Sequence, residues 1–260
     1  MKSINAKKRG LKMKKNKYKS LTHPLILQGI CHRGLHNSND SENGIKAFKN
    51  ALNAKMAIEL DVHLTKDNEL VVFHDSSTLR MTNKQGIIED LTLEEIKTNY
   101  RLKDNEEIPT LKEVLALVKE QVPIVLELKV FRKNYVPLSQ KVKEELKVIK
   151  DKRNITLISF DPRALIRFKK EGFLRLLLVT QEKKYRWIYH LRHLFEGVDL
   201  EYGFLKEKRV QRYCKHHFVN VWTVENKEVF DECLPYVDTL TFQHMNEEYV
   251  KNELSKKNNV

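Results

Sequence analysis

The chain lacks the features that hold small secreted proteins together. Only three cysteines, Cys31, Cys214 and Cys233, stand among its 260 residues. Their number is odd and no CxxC pair occurs, which excludes a disulfide framework and fits reduced thiols in a cytoplasmic protein. No apolar run approaches the roughly 18 residues of a membrane span. The run Leu25-Ile26-Leu27 is broken by Gln28 and has neither the length nor the small-residue cleavage site of a secretory signal. No linker rich in Pro, Gly or Ser divides the sequence, so one domain is expected, although the length would admit two.

Acidic residues are missing from the first twenty positions, where Lys2, Lys7, Lys8, Arg9, Lys12, Lys14, Lys15, Lys17 and Lys19 lie. The net charge is +13, but setting those nine aside from 48 basic residues leaves 39 against 35 acidic ones. Residues 1–22 therefore read as a basic flexible arm, too polar to order itself. Such an arm has the charge for weak contact with an anionic membrane; for a body so nearly balanced, nucleic acid is not an expected partner. Residues 23–250 read as the folded domain and 251–260 as a polar C-terminal tail.

With 41% hydrophobic residues the body can bury a sizeable core. Apolar strand-like runs fall at Ile26–Cys31, Ala57–Val62, Pro123–Leu128, Ile155–Ser159, Leu174–Thr180, Val198–Glu201, Phe218–Thr223 and Thr239–Phe242. Helical patterns separate them at Glu42–Ala54, Thr110–Glu120, Leu138–Lys150, Asp161–Lys170, Tyr185–Phe195, Lys206–Lys215 and Glu225–Leu234. Thr110 and Glu113 offer a capping box, and Pro162 follows Asp161 at a first helical position. Eight strands alternating with helices predict an α/β fold, a single (β/α)₈ TIM barrel. One excursion breaks the rhythm after the second strand. There Asp67-Asn68 reads as a tight turn, giving a short β-hairpin in which Asp61 opposes His74 and His63 opposes Val72.

Active sites of such barrels gather at the carboxyl ends of the strands. His32 and Arg33 end the first strand; Glu59, Asp61 and His63 alternate on one face of the second; Glu127 and Lys129 end the third; the hairpin returns His74. Three carboxylates so close cannot all ionise without a compensating cation, and an all-oxygen set favours a hard ion such as Mg²⁺ or Ca²⁺. Arg33 and Lys129 suit an anionic, phosphate-like substrate. His32 and His74 can move protons near neutral pH. His63 either joins the site or orients its neighbours, and the other seven histidines read as structural. Cys31 points away from His32 and reads as a packed residue. Phosphoester chemistry fits this set best.

These residues fall into an ordered series. It comprises His32-Arg33-Gly34, Glu42-Asn43, Ala47-Phe48, Glu59-Leu60-Asp61-Val62, Thr65-Lys66-Asp67, Val71-Val72-Phe73-His74-Asp75, Ile108-Pro109-Thr110-Leu111, Glu127-Leu128-Lys129, Ser159-Phe160-Asp161 and Val221-Trp222-Thr223-Val224. The series resembles the glycerophosphodiester phosphodiesterase family, whose barrel is like that of phosphatidylinositol phosphodiesterases. The resemblance implies hydrolysis of a glycerophosphodiester to glycerol 3-phosphate and an alcohol, in glycerophospholipid and glycerol metabolism. It implies His32 and His74 as the general acid–base pair, Glu59, Asp61 and Glu127 on the metal, Arg33 and Lys129 on the phosphate, and Trp222 against the glycerol. It also implies attack by the glycerol 2-hydroxyl, followed by opening of the cyclic phosphate by water. Departures from the family pattern are Ser41, Gly44 and the last strand, where Thr239-Leu240-Thr241-Phe242-Gln243 replaces a run that contains glycine and ends in aspartate. Two other readings stand beside this one: a membrane-surface enzyme acting on lysophospholipids or phosphoinositides, and a catalytically silent phosphoester-binding barrel.

Overall fold

Short runs of alternating side chains, each followed by a helical or 3₁₀ segment, are what a parallel barrel needs. The computed structural model describes residues 18, 20–183 and 186–258. Its strands are β1 (Ile30–Cys31), β2 (Ala57–Leu64), β3 (Leu70–Val72), β4 (Ile124–Leu128), β5 (Ile155–Ser159), β6 (Leu174–Val179), β7 (Gly197–Glu201), β8 (Phe218–Trp222) and β9 (Thr241–Phe242). Eight of them are arranged in the order β8-β7-β6-β5-β4-β2-β1-β9. Val224 draws the two ends together: its N–H donates to the Thr241 carbonyl at 3.0 Å, and its own carbonyl accepts from Gln243 at 3.1 Å. The result is a nearly closed (β/α)₈ barrel, with β3 paired antiparallel to β2 outside the ring.

Alternation along the strands decides where the site can be. At the foot of the barrel Ile30, Ala57, Val125, Leu174 and Phe218 fill the interior with Ile26, and Tyr18 and Leu21 pack beneath them. Outward residues such as Ile58, Leu60, Leu126 and Val219 pack under the helices, Cys31 among them. Higher in the barrel the inward positions turn polar: Glu59 and Asp61 on β2, Glu127 on β4, Asp199 on β7, Asn220 on β8 and Thr241 on β9, all buried. Between β2 and β4 residues 65–109 form an excursion with an apolar cluster of its own, including Val71, Phe73, Met81, Ile88, Ile96 and Tyr100. Capping boxes at Thr92 and Thr110 start the helices Leu93–Asn99 and Leu111–Val118.

Several expectations are corrected. The run over Ile26–Cys31 is extended only at its end, because Pro24–Gln28 form a 3₁₀ helix capped by His23, whose Nδ1 accepts from the Leu25 N–H at 3.2 Å. Gly29, at φ +112, makes the join; a Cβ there would lie 2.7 Å from Val250 Cγ1, so the turn needs glycine. The hairpin is one residue out of its expected register. Val62 pairs with Val72 and His63 with Val71, and the Phe73 N–H donates to the Asp61 carbonyl at 3.1 Å. Asp61 thus opposes Phe73, not His74. The cause is a three-residue loop, Lys66-Asp67-Asn68, with Asn68 left-handed at φ 63 and closed by the Thr65 N–H on the Glu69 carbonyl at 2.9 Å.

The expected polar tail is largely a helix, Glu247–Asn258, that buries Val250 and Leu254. Only those two positions, four apart, are buried in it, a stripe too narrow to stand out in so polar a sequence. The helix read over Tyr185–Phe195 is a 3₁₀ segment, Arg186–Leu194, and the last strand is confined to Thr241–Phe242. Apart from residues 18 and 20–22, the basic arm lies outside the described residues. No helix among the described residues is long and apolar enough to cross a membrane.

Candidate active site

The site begins where β1 ends. Arg33 adopts a left-handed backbone (φ 54), a strained choice for a side chain of its size. The turn points its N–H at Glu59 Oε2, 2.9 Å away, and lays its guanidinium between Glu42 (2.8 Å) and Asp61 (3.5 Å). Asn43, also left-handed, donates from Nδ2 to Asp61 Oδ2 at 2.9 Å. Parallel register sets Asp61 beside Glu127, and Lys129 reaches back to both, at 3.1 and 2.9 Å. Glu59, Asp61 and Glu127 each offer an oxygen within 4.8 Å of the others.

The electrostatics of this trio are those of a cation site. Burial raises Glu59 well above the usual carboxylate range, and the charges of Asp61 and Glu127 add to it. Burial, opposed by Lys129, pushes Glu127 up to about 7. For Asp61 burial is overcome by Lys129, His74 and Arg33, which hold it below the ordinary range. Without an ion, then, two of the three carboxyls resist ionisation. Beside it the Asn43 Oδ1 is buried with no hydrogen-bond partner among the described residues. An all-oxygen donor set that resists its own ionisation fits a hard divalent cation.

Two imidazoles flank the trio. His32 bonds through Nδ1 to Gln243 Oε1 at 2.6 Å, while Gln243 Nε2 donates to Glu225. Burial, together with Arg33, lowers His32 to about 3, and His74 is near enough to contribute. His74 is lowered by burial too, but Asp61 and Asp75 favour its charged form. Its Nδ1 lies 2.5 Å from Asp75 Oδ1. Asp75 is in turn held by Arg80 Nε at 2.5 Å, and Arg80 grips Glu42 at 2.7 and 2.9 Å. A continuous chain of ion pairs thus links His74 through Asp75, Arg80 and Glu42 to Arg33. His63 stands apart from the cluster: Nδ1 meets Glu89 at 2.5 Å and Nε2 the His74 carbonyl at 3.0 Å, so it orients the loop that carries His74. Trp222 donates from Nε1 to the Asp199 carbonyl at 3.3 Å and packs edge-on to Phe160, ring centres 5.7 Å apart.

Sequence reasoning passed over Asp75, Arg80 and Asp199. Asp199 and Glu201 alternate on β7, a period-two signal that was present. Asp199 is pushed up to about 8, by burial first and Glu127 second, while bonded to Asn220 at 2.8 Å. Arg80 gave no signal, since it reaches the site only through the folding of the excursion.

A barrel with three carboxylates, two cations and two imidazoles at its carboxyl mouth defines an enzyme class that works on phosphate esters. The comparisons are narrower. Residues 32–246 match the glycerophosphoryl diester phosphodiesterase family, and the chain belongs to that family of phosphoric diester hydrolases. A glycerophosphodiester phosphodiesterase of Caldanaerobacter subterraneus is 34% identical over 212 residues, 76% of this chain and 86% of the relative. One from Bacillus altitudinis is 36% identical over 150 residues, 54% of this chain but only 61% of the relative's own length. Among solved structures, a glycerophosphodiester phosphodiesterase from Parabacteroides distasonis superposes with a TM-score of 0.74 at 26% identity, covering 88% of this chain and 96% of that one. An Oleispira antarctica phosphodiesterase solved with sn-glycerol-3-phosphate shares the fold at a TM-score of 0.75 and 22% identity, over 94% of this chain and 99% of that one.

Proposed function

We propose that the chain hydrolyses glycerophosphodiesters to glycerol 3-phosphate and an alcohol, with Mg²⁺ or Ca²⁺ held by Glu59, Asp61 and Glu127. The observation that carries this is the trio itself, three buried carboxylates within 4.8 Å flanked by cations and imidazoles, in a chain of this family. The ion supplies Lewis acidity toward the phosphoryl oxygens. Arg33 and Lys129 bind and orient the phosphate, and Trp222 packs against the glycerol.

The neighbours of the two histidines divide their labour. Burial and the charge of Arg33 keep His32 neutral and outweigh its hydrogen bond to Gln243, which supports His32 as the base that takes the proton of the attacking hydroxyl. The carboxylate of Asp75 favours a protonated ring, which supports His74 as the acid that protonates the leaving oxygen. The roles reverse when water opens the cyclic phosphate. A cytoplasmic location fits three buried cysteines, none in a disulfide.

The test is release of glycerol 3-phosphate from glycerophosphocholine by purified protein. Chelation by EDTA should abolish it, and His32→Ala and His74→Ala should each lose about 10²–10⁴-fold in kcat. Undiminished turnover in both variants would refute the assignment.

A further inference from the structure

Where β8, β9 and β1 meet at the seam of the barrel, their register sets one polar side chain from each at the rim. Val224 bridges Phe242, and Phe242 pairs with Cys31; one residue further along stand Glu225, Gln243 and His32. The backbone is tied on both sides of this row. The Gln243 N–H donates to the Val224 carbonyl at 3.1 Å, and the His32 N–H donates to the Phe242 carbonyl at 2.9 Å. The three side chains then run in series, from His32 Nδ1 to Gln243 Oε1 at 2.6 Å and from Gln243 Nε2 to Glu225 Oε1.

Burial and Arg33 keep His32 neutral, so its ring carries one proton, and the hydrogen bond at Nδ1 decides which nitrogen holds it. The amide of Gln243 can face the ring in two ways. With its oxygen inward it accepts from Nδ1–H, and Nε2 keeps a free lone pair. With its NH₂ inward it donates to Nδ1, and the proton is driven to Nε2, where the ring can no longer take one. Glu225 removes the choice. A carboxylate only accepts, so it draws the NH₂ outward and turns the amide oxygen to the ring. His36 also comes near that amide, but its Nε2 is buried without a hydrogen-bond partner among the described residues, so the outer carboxylate sets the orientation.

We propose that Glu225 is a positioning residue for the hydrolysis: through the amide of Gln243 it fixes His32 as the Nδ1–H tautomer, with Nε2 free to accept the proton of the attacking hydroxyl. This rests on the phosphodiesterase reading above and adds a residue outside the groups assigned there to substrate and ion. The proton passes from the hydroxyl to Nε2 as the oxygen bonds phosphorus. The ring then donates from both nitrogens, with Nδ1–H still on the amide oxygen. Nε2 returns the proton to the glycerol oxygen when water opens the cyclic phosphate, so the tautomer is restored at the end of each turnover.

The experiment pairs ¹⁵N NMR of the histidine rings with steady-state cleavage of glycerophosphocholine, on the full chain at pH 7 with Mg²⁺ or Ca²⁺. The His32 signals are identified by their absence from His32→Asn. In the wild type His32 should be protonated at Nδ1 and bare at Nε2. Glu225 is exposed, so Glu225→Lys leaves folding intact while placing a donor where the acceptor stood. The amide should turn, the His32 pattern should reverse, and kcat should fall by about 100-fold or more with KM little changed. Adding Gln243→Glu to that variant gives Nδ1–H an acceptor that cannot turn, and should restore the tautomer and about tenfold or more of the lost kcat. A wild-type ring protonated at Nε2 overturns the proposal. So does a loss of turnover in Glu225→Lys with the tautomer unchanged, or full turnover with the tautomer reversed. A wild-type protein that cleaves no diester overturns the phosphodiesterase reading instead; the tautomer is read without turnover, so the link from Glu225 to His32 is decided either way.

Discussion

If Glu59, Asp61 and Glu127 hold an ion, its affinity must depend on pH, because the empty cluster keeps protons that the ion has to displace. Glu127 titrates near 7, so it is about nine-tenths protonated at pH 6 and about one-tenth at pH 8. Displacing that proton makes the ion bind about tenfold more tightly at pH 8. Burial and its two carboxylate neighbours raise Glu59 as well; any group still protonated at pH 8 would add about a further hundredfold over the same two units. Asp61 is already ionised and adds nothing. The sign is fixed: a carboxyl whose pKa is raised in the empty site weakens metal binding as pH falls. Isothermal titration of Ca²⁺ or Mg²⁺, in buffers of different ionisation enthalpy, should show Kd falling between about 10- and 10³-fold from pH 6 to 8. It should also show one to two protons released per ion at pH 6. Equal affinity at both pH values with no proton release would refute the reasoning.

Other consequences follow from particular contacts. Asp75→Asn leaves His74 without its carboxylate and Arg80 without one of its partners; kcat should fall about 10–100-fold, as when a supporting group of a site is lost, with KM little changed in steady-state assays. Gln243→Glu places a charge 2.6 Å or so from His32 and stabilises its imidazolium, so the acid limb of the pH–rate profile should move to higher pH; a profile that does not move contradicts His32 as the base. Burial raises Glu145 to about 7, above its unfolded value near 4.5, so the folded state holds the extra proton and stability falls as pH rises from about 4.5 through 7. Glu145→Gln should therefore match wild type near pH 4.5 and exceed it by about 2–3 kcal/mol at pH 8 in urea unfolding. Leu254→Ala removes a fully buried side chain of the last helix and should cost about 2–5 kcal/mol, which would not happen if residues 251–258 were a loose tail.

The barrel was legible because its strands are short runs set between caps, such as Thr110 with Glu113, that the structure keeps. What misled was local geometry with no compositional mark. The left-handed Asn68 lengthens a turn by one residue and shifts every partner of β2 in the hairpin. Pro24 makes a 3₁₀ helix of a run whose composition suits a strand. Within the site, Glu59, Asp61 and Glu127 could be placed together by alternation and strand order alone. The supports of the imidazoles could not. Asp75 and Arg80 act across the fold of the excursion, and Gln243, noted only as an odd residue at the end of β9, is the hydrogen-bond partner of His32.

The central claim is that one hard cation sits among three buried carboxylates between two imidazoles. Crystals soaked in Mn²⁺, a strong anomalous scatterer with oxygen-ligand preferences like those of Mg²⁺, test it most directly. The account predicts one dominant anomalous peak within about 2.0–2.6 Å of an oxygen of each of Glu59, Asp61 and Glu127. A peak held by other side chains, or none at full Mn²⁺ occupancy elsewhere in the crystal, would contradict it.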